Sequence, residues 1–189
     1  KIHWFHGTRS MYPDSFAKGI LPLQDIFPCL RSTLDKLAER YGIPQEKEMS
    51  ENHNHYGFLM GIKMQNDIDK GPCAMLNLDT VKNAANYDCH SYIDIPEIVE
   101  DYAHVKYGNN AFKLLDIYRD LASPVIVEFW TAVDDPYNPD IDHIISSLLN
   151  YLYAVMHLEQ DLLGLHCNTC YSGHGTAIDS GHIIRVNRL

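Results

Sequence analysis

The run Phe5-His6-Gly7-Thr8-Arg9 concentrates residue types from which a small-molecule site can be built. A neutral imidazole hydrogen-bonds a sugar hydroxyl without any change of charge. Glycine lacks a Cβ, so its N–H and C=O can approach a flat carboxamide closely. The arginine guanidinium presents a planar fork of donors that matches phosphate oxygens. The same letters also fit a histidine satisfied by its neighbours and a turn glycine. After them, Pro13 to Lys18 read as one or two helical turns, with Gly19 placed to end them.

Residues 5–20 together resemble the first motif of ADP-ribosyltransferases of the diphtheria-toxin and poly(ADP-ribose) polymerase type. That motif is an aromatic residue, His-Gly-Thr or His-Gly-Ser, then a helix running into Gly-Ile or Gly-Leu. Here it reads Phe5-His6-Gly7-Thr8 and, further on, Gly19-Ile20. The resemblance implies an α+β fold with a split β-sheet core, a largely helical inserted middle and a long helix before the final strands. It implies NAD⁺ as substrate, cleaved at the nicotinamide–ribose bond, with ADP-ribose passed to a macromolecule such as a protein, or to water. His6 would then meet the ribose and Gly7 the nicotinamide carboxamide, with Thr8 supporting the histidine and Arg9 meeting the pyrophosphate.

Two further residues follow from the same resemblance. A tyrosine should stack on nicotinamide; among twelve tyrosines Tyr56 is the first choice and Tyr87 the second. A late strand should present a carboxylate that steadies the oxocarbenium-like transition state. Glu128, a lone acid in Val125-Ile126-Val127-Glu128-Phe129-Trp130, is the leading candidate, since an acid in so apolar a run needs a polar destination. Asp179 is the alternative, because Gly173 to Asp179 contains no Glu. Without such an acid, the same fold would serve as a non-catalytic module that binds a nucleotide or a protein.

The elements that must position these groups are legible from periodicity. Residues 2–6 and 182–186 read as terminal strands, and 73–78 as a short one. Pro124 to Trp130 is the clearest strand, β-branched and aromatic and too short for a helix. Ser32 is a candidate N-cap for a helix to Tyr41, stopped by Gly42. Residues 56–66 read as helical, and Asp94 with Glu97 resembles a capping box for a helix closed by Gly108. Asn110 opens a helix carrying Leu114, Leu115, Tyr118 and Leu121. Asn138-Pro139 opens the longest, to about Leu163, whose wide apolar face (Ile141, Ile144, Ile145, Leu148, Leu149, Leu152, Met156) reads as core. With no repeat or linker, residues 1–189 are expected to form one domain.

Composition narrows the function classes. Hydrophobic residues at 46% and charged residues at 21% suit a packed globular chain rather than a disordered one. A net charge of −10 without a Lys/Arg stripe disfavours direct binding to a nucleic-acid backbone. The most apolar stretch, Ile141 to Leu165, is broken by Asp142, His143, Asn150, Glu159 and Asp161, so no membrane span is expected. Five scattered cysteines and no apolar leader point to thiols in a reducing cytoplasm. Cys167 and Cys170, flanked by His166 and His174, have zinc-like spacing, but a single CxxC lacks a second distant pair, so no metal is expected. The Gly173-His174-Gly175-Thr176 run has no Gly-rich nucleophilic serine to serve it, and His53-Asn54-His55 resembles nuclease metal motifs in letters alone.

Overall fold

The computed structural model describes residues 1–12, 14–46, 51–66, 69–87, 89–157 and 167–189. Its strands are β1 (Ile2–Ser10), β2 (Cys73–Met75), β3 (Ser123–Thr131), β4 (Cys170–Ser172) and β5 (Ile183–Arg188). They form one antiparallel sheet in the order β4-β2-β1-β3-β5. The helices are α1 (Leu23–Arg40), α2 (Glu51–Gln65), α3 (Leu78–Lys82), α4 (Glu97–Tyr107), α5 (Ala111–Leu121) and α6 (Ile141–Met156). The fold is α+β, as expected. Among the described residues, no helix is long and apolar enough to cross a membrane.

Strand β3 sits next to the centre of the sheet because its Val125, Ile126, Val127 and Phe129 are apolar on both faces and are almost wholly buried. It pairs with β1 along all of that strand, from Ile2 opposite Thr131 to Ser10 opposite Ser123. This pairing corrects the expected strand end at His6. Residues 6–10 stay extended because a full-length partner takes up their backbone groups on one side. Beyond them Asp14 to Lys18 form turns rather than a helix, and Gly19 ends them with φ +99°.

Two apolar clusters hold the layers together. One packs Trp4, Val125, Val127 and Phe129 against Ile144 of α6 and Tyr171 of β4. Trp4 donates its indole N–H to the Thr131 hydroxyl at 2.9 Å, so its burial leaves no polar atom unpaired. The other joins α1, α4 and α5 through Leu34, Leu37, Val99, Tyr102, Leu114 and Tyr118. Asp35 of α1 accepts hydrogen bonds from the Tyr102 and Tyr107 hydroxyls and from the Lys106 ammonium at 2.7–2.8 Å, linking α1 to α4.

Several elements differ from their sequence reading. Helix α1 begins at Leu23 rather than after Ser32, and carries Pro28 within it. Asp94 caps no helix; the chain enters α4 at Pro96, and Asp94 instead pairs with Arg119 at 2.8 Å. Strand β4 begins at Cys170, the second cysteine of the CxxC, in a segment that the sequence reading gave no strand. Helix α6 starts on Asp140, whose side chain accepts the Asp142 N–H at 2.8 Å; its expected end at Leu163 lies outside the described residues. Of the seven apolar residues expected in its core face, only Ile144 is buried, alongside Ser147 and Ala154.

Candidate functional site

Strand β2 pairs with β1 only where Phe5 meets Met75. Beyond that pair the two strands part. Among the described residues, no other strand or turn hydrogen-bonds the β1 backbone from that side. The alternate backbone groups of residues 6–10 that point away from β3 therefore have no strand partner on that side, and the Arg9 carbonyl accepts from the Tyr118 hydroxyl at 3.3 Å. A cleft of about 320 Å³ lies there, walled by β1, the turn through Gly19, the first half of α1, residues 69–73, Tyr92 and residues 96–99. Its lining is largely apolar, with a few polar groups from distant parts of the chain.

His6 is one of those groups. Its Nδ1–H donates to the Cys73 carbonyl at 2.7 Å, which fixes the ring against β2 at the point where the strands diverge. Desolvation lowers the His6 pKa more than that bond raises it, so the ring is neutral near pH 7. Nδ1 carries the proton, and Nε2 is left as an acceptor. Gly7 has a packing reason for its missing side chain. A Cβ there would lie 2.7 Å from Val81 of α3 and 3.2 Å from Ile93. Thr8 shares the His6 face and lines the same cleft.

The structure separates the remaining expected residues from this wall. Arg9 touches the cleft, but its guanidinium is turned onto backbone carbonyls. Nε and Nη2 reach Ala122 at 3.0 and 2.7 Å, Nη2 also reaches Arg119 at 2.6 Å, and Nη1 reaches Ile93 and Asp94 at 2.9 and 3.1 Å. Those five bonds match its five N–H donors, leaving none for a pyrophosphate, so Arg9 is a structural clamp. Tyr56 lies on α2, stacked on His104 at 4.2 Å, and is not part of the cleft wall. Tyr87 is likewise elsewhere, in a 3₁₀ turn after α3.

Glu128 is also removed. Cross-strand partners in an antiparallel sheet share a face, and Glu128 is opposite Phe5 whereas His6 is opposite Val127. Since neighbouring residues alternate faces, Glu128 and His6 point to opposite sides of the sheet. The Glu128 carboxylate instead accepts from Arg185 of β5 at 2.8 Å and from His3 Nδ1 at 3.0 Å. Asp179 is exposed and accepts the Gly181 N–H at 2.7 Å, closing a 3₁₀ turn, and it does not line the cleft. Of the expected residues, then, the structure brings together His6, Gly7 and Thr8.

Burial pushes the Glu128 carboxyl up, and the His3 and Arg185 bonds outweigh it, so its pKa lies below the usual range. A depressed carboxyl stabilises the fold above the unfolded-state pKa and loses that contribution as pH falls through the folded one. Glu128→Gln is accordingly expected to cost about 1 kcal/mol or less near pH 7, because both partners are half exposed. The gap between variant and wild type should close on acidification in denaturant titrations. A gap that widens at low pH would contradict the ion-pair account.

Three cleft residues escaped sequence reasoning: Tyr92, Glu97 and Lys63. Burial, with the nearby Glu97 charge adding to it, holds the Tyr92 phenol well above its ordinary pKa. Lys63 bridges Glu97 at 3.2 Å and Asp101 at 2.7 Å. The letters make Glu97 half of a capping box, and Pro96 is the signal against that. Proline disfavours a helical residue before it, which argues against Asp94 as the cap of a helix that includes Ile95. Desolvation pushes the Cys73 thiol up to about 11, which disfavours the thiolate.

None of the five cysteines is in a disulfide. Among the described residues, no group of three or more His, Cys, Asp or Glu is arranged to hold a metal ion. His166 lies outside them, as do the side chains of His53 and Asn54. In comparisons with known proteins, no family model, curated protein or solved structure matches the chain.

Proposed function

We propose that the cleft beside His6 binds NAD⁺ and that the chain is an ADP-ribosyltransferase-like domain. The observation that carries the reading is the histidine itself. It sits where the sheet opens, neutral, with one ring nitrogen anchored to Cys73 and the other left as an acceptor for a ribose hydroxyl. The opening of the sheet between β1 and β2 agrees with the split core that the motif implies, and the apolar lining suits a planar nicotinamide. In transfer of ADP-ribose to a protein or to water, Glu97 takes the part first assigned to Glu128, as the carboxylate facing the developing cation.

A second reading, a nucleotide-binding module without turnover, is favoured by one observation: Glu97 is already paired with Lys63 at 3.2 Å, which offsets its charge. Thermal unfolding tests the binding common to both. Saturating NAD⁺ is expected to stabilise the wild type by about 2.7 kcal/mol at 100 times Kd. His6→Ala should remove that shift while the unliganded protein stays folded. Wild-type unfolding indifferent to millimolar NAD⁺ would sink the proposal. Nicotinamide release that Glu97→Gln lowers without loss of the NAD⁺ shift selects the transfer reading; no release from wild type selects the other.

A further inference from the structure

Glu97 in the first turn of α4 and Asp101 one turn later share a face of that helix, and Lys63 in the last turn of α2 lies between them. Its ammonium is 2.7 Å from the Asp101 carboxylate and 3.2 Å from that of Glu97. The two acids sit at different depths. The Glu97 side chain is 32% exposed and lines the cleft together with Lys63. The Asp101 side chain is 3% exposed and does not reach the cleft.

A carboxylate buried as deeply as Asp101 needs a cation. Desolvation raises its pKa, and the Lys63 contacts pull against that. Desolvation lowers the Lys63 pKa, but the two carboxylates more than restore it, so the ammonium keeps its proton. One positive charge is thereby shared by two negative ones, with the shorter contact on the buried side. Without the Asp101 charge, Lys63 would pair with Glu97 alone, and the pair would present no net charge to the cleft. With it, the group keeps one negative charge in excess, and Glu97 is the acid that meets the cleft. Glu100, on the same helix, adds to the negative side. The Nδ1 of His90 lies 4.0 Å from the other Glu97 oxygen, and its Nε2–H donates to the Ile95 carbonyl, so His90 adds charge only when protonated.

We propose that Asp101 is a positioning residue for Glu97: by holding the Lys63 ammonium it preserves the negative charge that Glu97 turns toward the cation developing on the ribose. The inference rests on the reading of the cleft as a site of ADP-ribosyl transfer. It also answers the Lys63 pairing that favours a module without turnover. A charge that meets a cation formed only in the transition state raises kcat and leaves KM little changed.

Nicotinamide release from NAD⁺ by the full chain tests this, measured at about pH 8, where an imidazole is neutral. Asp101→Asn should lower kcat about tenfold or more, with KM changed less than about threefold and the NAD⁺-induced thermal shift kept. Asp101→Ala takes its place if the asparagine variant does not fold. Combining Lys63→Met with Asp101→Asn should bring kcat back to within about threefold of the wild type, because Glu97 then carries its charge unopposed. A purely structural role for Asp101 predicts no such recovery, since the double variant removes the link between α2 and α4 altogether. A wild type whose unfolding is indifferent to NAD⁺ overturns the reading of the cleft and the inference with it. A wild type that binds NAD⁺ without releasing nicotinamide overturns the inference and leaves the binding module. An active wild type whose kcat survives Asp101→Asn overturns the inference and leaves the transfer reading in place. A double variant no faster than Asp101→Asn does the same.

Discussion

Arg9→Met is expected to destabilise the protein by about 2–4 kcal/mol, because it removes a clamp rather than a ligand contact. The guanidinium gathers the carbonyls of Ile93, Asp94, Arg119 and Ala122, fastening β1 to the end of α5 and to the turn that carries Tyr92. Carbonyls at a helix C-terminus have no partners within the helix, and a cation there also meets the negative end of its dipole. Methionine keeps much of the stem's volume but leaves those acceptors unmatched. Arg9→Lys should recover only part of the loss, since a point charge with three donors cannot serve four carbonyls across a planar fork. Urea unfolding measures both. A loss below about 1 kcal/mol for Arg9→Met, with a specific fall in NAD⁺ affinity, would return Arg9 to the ligand.

Gly19→Ala should be of similar size, about 2–4 kcal/mol, and should also damage the cleft. Gly19 has φ +99°, a region that residues with a Cβ rarely enter. An added Cβ would overlap the Ile178 carbonyl oxygen, which already accepts the Ile20 N–H at 2.9 Å. Relieving the clash means breaking the Ile20–Ile178 bridge, and Gly19 and Ile20 both line the cleft. Loss of stability should therefore be accompanied by loss of the NAD⁺-induced thermal shift. Gly42→Ala is a suitable control. Gly42 too has positive φ, at +61°, but open space around its missing Cβ, so it carries the backbone strain without the collision. Equal costs at the two positions would show that the Ile178 contact is unimportant.

The sequence by itself determined the α+β class, the apolar strand at Pro124 to Trp130, and the helices stopped at Gly42 and Gly108. These follow from local signals: apolar period, β-branched content and glycine stops, each read within a dozen residues. Tertiary structure decided which side of the sheet each residue faces. A one-residue change of register reverses that side, and the register of Glu128 is set by β1, more than 120 residues away in sequence. Arg9 was misread for the same reason, since its carbonyl partners lie 84–113 residues along the chain. Glu97 and Tyr92 became cleft residues only when the turn before α4 folded against Gly7. On α6, the letters fixed the apolar residues but not which of them would be inside. The sheet and its cover have room for one side of a helix, and Ile144, Ser147 and Ala154 occupy it.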